Sequence, residues 1–98
     1  MATVIYQVEA KVRGDLIADF EEYMLETHIC DVMKTGKFEK CIFAGKGNGI
    51  YQIQYFTDHE QLQEYIEKEA PALRGDFIKR FPEGVEINRS ELEILRIW

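Results

Sequence analysis

The first segment of the chain alternates strictly between two kinds of side chain. From Val4 to Val12 every second position is apolar, and the positions between them hold Ile5, Gln7, Glu9 and Lys11. A period of two residues with many β-branched side chains is typical of a strand. Gly14 ends this pattern, and Asp15 is a residue type that often precedes a helix. We therefore predict a first strand with one fully apolar face, followed directly by a helix.

The apolar period becomes helical from Leu16, but its phase slips once. A first stripe at helical spacing contains Leu16, Phe20, Tyr23, Met24 and Thr27. A second apolar set, offset around the helix axis, contains Ile29, Val32 and Met33. This offset predicts a bend or a new short helix between His28 and Cys30. Thr35 and Gly36 mark the end of the helical region, because glycine is common just after a helix.

The rest of the chain predicts two more strands, a second helix and a last strand. Residues 37–46 and 50–57 are predicted strands, joined through Asn48-Gly49, which favours a tight turn. Asp58, with Gln61 three residues later, predicts a capping box at the start of the second helix. Pro71 predicts that this helix restarts there. Residues 85–98 form the last predicted strand, which we expect to bulge near Arg89-Ser90 because its alternation changes phase there.

The order strand, helix, strand, strand, helix, strand indicates the α+β class. It predicts one ferredoxin-like βαββαβ domain over residues 1–98, with a four-stranded antiparallel sheet and two helices on one face. The opposite face is mixed in character and carries Ile5, Gln7, Glu9, Ile50, Gln52, Gln54 and Phe56. Because apolar patches on small domains usually mark an interface, we expect a homodimer through this open face, forming a dimeric α/β barrel. The alternative is a monomer in which this partly apolar face is exposed to solvent.

Composition and charge exclude several classes of partner. The 98 residues are 46% hydrophobic and 31% charged, which places the chain among folded globular proteins. The formal net charge is −6 and the basic residues are scattered, so no nucleic acid or membrane partner is expected. The N-terminal segment alternates and does not resemble a signal peptide, so we expect a cytoplasmic location. In that compartment Cys30 and Cys41 are predicted to be reduced thiols.

Several short segments carry a resemblance to a known family. They are "IYQVEAKV", "HICDVMKTGKF", "YQIQYF" and the long stretch from Tyr65 to Leu95. The matching positions are His28, Ile29, Thr35, Gly36, Phe38, Ala70, Pro71, Leu73, Arg74, Arg80, Phe81 and Arg89. In these segments the chain resembles the bacterial family called domain of unknown function 4286, while Cys30 stands where proline is frequent. The resemblance implies a dimeric α/β-barrel fold. The wider superfamily includes cofactor-free monooxygenases, isomerases, heme-degrading enzymes and binding modules, among which fold alone does not choose.

His28 is the candidate catalytic residue. An imidazole titrates near neutrality and can give or take a proton in a pocket. The alternative is structural, with the ring capping a carbonyl freed by the predicted helix bend. A zinc site with Cys30 and Cys41 lacks a fourth ligand, so no metal is predicted. A Cys–His pair also fails, because residues two apart on a helix point in different directions.

The other candidates for a ligand pocket are Gln52, Gln54, Glu69 and Arg74. Arg74 is able to bind a carboxylate or another anion, and the alternative is an ion pair with Glu69. We expect no cofactor. These residues predict a small homodimer that binds a small ligand or serves as an accessory module. The alternative is a cofactor-free monooxygenase or isomerase with His28 as its acid or base.

Overall fold

The computed structural model describes all residues from 1 to 98. Its four strands form one antiparallel sheet with the order β2-β3-β1-β4. The strands are β1 (Val4–Val12), β2 (Lys40–Gly47), β3 (Ile50–Thr57) and β4 (Val85–Glu93). One helical segment joins β1 to β2 and another joins β3 to β4. The predicted βαββαβ architecture is therefore confirmed, and the sheet of the single chain is open rather than closed into a barrel.

Each helical segment contains a π-helical turn. The first segment begins with a 3₁₀ turn and contains α1, a π turn and α2, at Gly14–Leu16, Ile17–Tyr23, Met24–His28 and Ile29–Lys34. The second contains α3, a π turn and α4, at His59–Glu64, Tyr65–Glu69 and Ala70–Arg80. As predicted, the Asp58 carboxylate caps α3, accepting a hydrogen bond of 2.8 Å from the Gln61 N–H. No helix in the structure is long and apolar enough to cross a membrane.

The π turn explains the phase slip in the first helix and corrects the predicted break. The backbone stays helical through His28 and Ile29, with no bend into a new helix. A π turn accommodates one extra residue, so the apolar positions after it lie on the same face as those before it. Phe20, Met24 and Val32 are all buried against the sheet as a result.

The second π turn leads directly into the proline. Glu69 and Ala70 keep helical backbone angles, and Pro71 lies in the first turn of α4. The predicted restart at Pro71 is therefore a change of helix type within one continuous segment. Because proline has no N–H to donate to the preceding turn, a widened turn just before it accommodates the lost hydrogen bond.

The last strand differs from its prediction in two respects. It pairs with β1 in one unbroken register from Val12–Val85 to Val4–Glu93, so the bulge predicted near Arg89-Ser90 is absent. The irregularity of the sheet lies instead in β2, between Gly45 and Gly47. The strand also ends at Glu93 rather than continuing to residue 98, and beyond it the Ile94 N–H still donates to the Thr3 carbonyl at 2.9 Å.

The core lies between the helices and the helix-facing side of the sheet. Its largest fully buried side chains are Phe20, Ile53, Leu62, Val4 and Val32. An aromatic group packs beside them, in which the ring centroids of Phe38 and Tyr65 are 4.8 Å apart and those of Phe38 and Tyr55 are 5.0 Å apart. Edge-to-face and tilted packing of this kind adds stability beyond the burial of area.

Candidate functional site

A cavity of about 40 Å³ lies between the helices and the helix-facing side of the sheet, partly open to solvent. The first helix contributes Met24 and His28, the second contributes Arg74 and Phe77, and the sheet contributes strands β1, β3 and β4. Ten of its thirteen lining side chains are hydrophobic, and the other three are His28, Arg74 and Arg89. An apolar cavity with a few converging polar groups is typical of a small-molecule site.

His28 lies in the wall of this cavity, at the last position of the first π turn. Its ring stacks on Tyr23 at a centroid distance of 5.9 Å and meets the edge of Phe77 at 5.5 Å. The ring makes no hydrogen bond to a protein group. The ring therefore does not fill the capping role that we considered, and the Leu25 carbonyl in the π turn accepts from the Cys30 thiol instead. The unbonded ring therefore remains available to a ligand.

The environment of His28 favours its neutral form. Burial lowers the pKa of His28 below its ordinary value of 6.5, and the positive charge of Arg89 lowers it further. Asp31 and Asp76 act in the opposite direction on the same pKa, but burial is the largest influence. At neutral pH the ring is uncharged, with one nitrogen able to donate and the other able to accept a hydrogen bond.

This shift predicts a pH dependence of stability. Because the unfolded chain holds a proton on His28 more tightly than the folded chain, the contribution of His28 is fully present above pH 6.5 and is lost as pH falls toward the lowered pKa. We expect His28→Gln to reduce the loss of stability between neutral and mildly acidic pH, measured by denaturant unfolding. An NMR titration checks the cause by measuring the pKa of His28 in the folded chain and in the chain unfolded in urea. A pKa of His28 in the folded chain equal to or above that in urea would contradict the prediction.

Two arginines line the same cavity without an acidic partner. Arg74, half-buried on α4, donates from Nη2 to the Tyr6 hydroxyl oxygen at 3.0 Å. It does not pair with Glu69, so the ion pair that we considered is not formed. Arg89 is exposed on β4, opposite Val8 of β1, and also has no ion pair.

The remaining pocket candidates lie elsewhere. Gln52 and Gln54 are on the open face of β3, across the sheet from the cavity, and Gln54 donates to the Gln7 side chain at 2.8 Å. Glu69 ends the second π turn and does not line the cavity. The structure therefore brings His28 and Arg74 together and separates them from the other three candidates.

Arg89 is the charged lining residue that the pocket prediction missed. The predicted bulge at Arg89-Ser90 removed it from the alternation of β4. With the register unbroken, Val85, Ile87 and Arg89 follow one another on the helix-facing side, and this continuous alternation was the signal that could have found it.

The cysteines do not take part in the cavity. Both are free, and Cys30 is exposed, donating weakly from Sγ to the Leu25 carbonyl at 3.6 Å. Cys41 lies on β2, where burial raises the pKa of its thiol to about 11. A thiol with so high a pKa is almost entirely protonated at neutral pH and is therefore a poor nucleophile.

Solved structures with a similar fold come from several organisms. A dimeric ferredoxin-like protein from an uncultured marine organism superposes with a TM-score of 0.76 at 12% identity, covering 100% of both chains. An ethyl tert-butyl ether d (ethd) family protein from Bacillus halodurans c-125 has a TM-score of 0.64 and 17% identity, covering 89% of this chain and 96% of the other. A candidate monooxygenase from Shewanella loihica PV-4 has a TM-score of 0.63 and 12% identity, covering 99% of both chains. At these identities the likeness establishes the fold alone.

Sequence comparison identifies the family to which this chain belongs. No curated protein gives a significant match to this chain. A family model with the description "Domain of unknown function (DUF4286)" matches residues 3–95, which is nearly the whole sequence. The resemblance expected from the segments around His28 and Arg74 is thereby confirmed. The chain belongs to the DUF4286 family and has the ferredoxin-like fold.

Proposed function

We propose that this chain is a homodimeric module that binds a small molecule in the cavity between its helices and its sheet. The observation that carries the proposal is the lining of that cavity, in which an apolar wall meets His28, Arg74 and Arg89. Side chains that only stabilise a fold usually satisfy one another, whereas these three polar groups keep free hydrogen-bonding capacity beside an open space.

The dimer is proposed through the open face of the sheet. Ile5 and Phe56 lie side by side on that face, and Leu92 extends the apolar row to β4. Leu92 and Ile42 on this face are 39% and 44% exposed, so they add apolar surface beside that row. The marine structural relative is described as dimeric.

A cytoplasmic location stays a prediction, consistent with two cysteines that form no disulfide.

An uncharged probe with a short apolar chain tests whether the cavity admits ligands. We expect butanol to shift the methyl NMR signals of Met24, Leu73 and Ile87, which line the cavity, and to leave the signal of exposed Leu25 unchanged. Leu73→Phe should abolish the shifts of Met24 and Ile87, because the larger ring fills the space. Its folding is checked by circular dichroism. Shifts spread evenly over the surface, or persisting in Leu73→Phe, would contradict binding in the cavity.

The second candidate function is a cofactor-free monooxygenase or isomerase, in which His28 exchanges a proton with the substrate. The neutral, unbonded ring in the cavity wall favours it, as does the candidate monooxygenase among the structural relatives. It ranks second because no other reactive group lies beside His28, and the Cys41 thiol is held in its protonated form. His28→Gln separates the two functions, because a glutamine amide can still hydrogen-bond a ligand but cannot exchange a proton. A binding module should therefore keep most of its ligand affinity, while an enzyme loses turnover.

A further inference from the structure

The charge of the cavity is opposite to the charge of the chain. The protein carries 18 acidic and 12 basic side chains, yet no acidic side chain lines the cavity, and its two charged lining groups are both arginines. We propose that the ligand is a small carboxylate whose anionic group binds Arg74 and Arg89 and whose apolar part enters the cavity. This inference rests on the proposed function and specifies its ligand class.

Both guanidinium groups have unused donors. Two other basic side chains form ion pairs, Arg13 with Asp15 at 2.6 Å and Lys37 with Glu64 at 2.6 Å. Arg74 donates only to the Tyr6 hydroxyl, and Arg89 makes no side-chain hydrogen bond. A guanidinium carries five N–H donors in a planar fork, which matches the two oxygens of a carboxylate. The arginines are therefore free to hold an anion.

The positive potential of both arginines reaches the same part of the cavity. Arg74 and Arg89 each lower the pKa of Tyr65, whose hydroxyl burial nevertheless holds protonated, with a pKa of about 12. Glu69 acts on Tyr65 in the opposite direction and more weakly than the arginines, and it lies outside the cavity lining. The neutral His28 ring has an N–H that can donate to the same carboxylate. These three groups are the donors of nitrogen type that line an otherwise largely apolar space.

The dimensions of the site limit the ligand. A cavity of about 40 Å³ accommodates a short aliphatic group but not a nucleotide or a polycyclic ring. Phe20, Met24, Leu73 and Phe77 supply its apolar wall. Because Arg89 is exposed and Arg74 is half-buried, the carboxylate would lie at the open end with the chain pointing inward. A short-chain monocarboxylate satisfies both parts of the site.

Butyrate and butyramide form a matched pair for the test, since they have nearly the same shape and differ in charge. Titrations followed by the methyl signals of Leu73 and Ile87 should give a dissociation constant for butyrate at least about tenfold lower than for butyramide, because charge-assisted hydrogen bonds are the stronger ones. Ionic strength is held constant with sodium chloride, so that general screening does not differ between the two titrations.

Variants identify the groups that bind the anion. Arg74→Gln and Arg89→Gln should each weaken butyrate binding by about fivefold to tenfold, with little effect on butyramide. Lys79→Gln removes one positive charge from an exposed position of α4 and should change neither affinity by more than about twofold. Arg74→Lys, which retains the charge but not the fork, should fall between Arg74→Gln and the unmodified protein. Thermal unfolding of each variant shows whether it is folded.

The outcomes separate this inference from the proposed function. Equal affinity for butyrate and butyramide would overturn it, as would equal weakening by Lys79→Gln and Arg74→Gln. Binding of butanol without binding of butyrate would also overturn it, while the proposed function would stand. If butanol, butyrate and butyramide all fail to bind in the cavity, the proposed function fails with it.

Discussion

Replacing Phe20 by alanine is expected to lower the free energy of unfolding by about 3–5 kcal/mol. The side chain is completely buried at the centre of an aromatic cluster. Its ring centroid lies 5.1 Å from that of Tyr51, 6.0 Å from that of Phe81 and 6.2 Å from that of Phe77. Truncation leaves a void that rigid neighbouring rings cannot fill. Because domains of this size are stable by about 5–15 kcal/mol, much of the stability would be lost.

Denaturant unfolding followed by circular dichroism measures this effect, at fixed protein concentration because association also contributes to stability. Ile78→Ala is the matched control, since Ile78 lies on α4 with 61% of its surface exposed and should cost less than about 1 kcal/mol. Phe20→Leu should fall between the two, because it leaves a smaller void. A cost for Phe20→Ala no greater than that of Ile78→Ala would show that the core is not organised around this ring.

The strands and their faces could be predicted because burial follows a period of two. Val4, Tyr6 and Ala10 share one phase of this period in the sequence, and all three are buried in the structure. The sequence also showed the phase slip in the first helix, but it did not show whether a broken helix or a π turn causes that slip. An offset of one residue is produced equally by a broken helix and by a π turn, since both return the later side chains to the same face. Hydrophobic period alone cannot separate them.

The candidate site could be predicted only in part, for a similar reason. His28 and Arg74 were selected for their chemistry, and both lie on helix faces directed at the cavity. Gln52 and Gln54 were selected with them, although the alternation of β3 places these two on the opposite face. Arg89 was missed because a bulge was expected at Arg89-Ser90, which would have taken it out of the alternation of β4. The alternation of Val85, Ile87 and Arg89 places it on the helix-facing side only if the strand is unbroken, and that depends on its pairing with β1.

A glutamate at position 92 is expected to dissociate the proposed dimer. Leu92 lies on the open face of the sheet opposite Ile5, which in turn lies opposite Phe56, so the three side chains form one apolar row. In a symmetric dimer each substitution occurs twice, and each new carboxylate would be buried without a partner. We expect Leu92→Glu to raise the dissociation constant by about a hundredfold or more, given the several kcal/mol that an unpaired buried charge costs.

Sedimentation velocity over a range of concentrations measures this effect directly. The unmodified protein should sediment at twice the 11.5 kDa mass of one chain, and Leu92→Glu at the mass of one chain. Leu25→Glu is the matched control, because Leu25 is 61% exposed on the first π turn, on the helical side of the molecule away from the open face. It should leave the dimer intact. An unmodified protein that sediments as one chain would refute the dimer, whereas dissociation by Leu25→Glu alone would move the interface to the helices.

Because His28, Arg74 and Arg89 lie on the other side of the sheet, a monomeric Leu92→Glu variant should still bind butyrate, so assembly and ligand binding are tested independently.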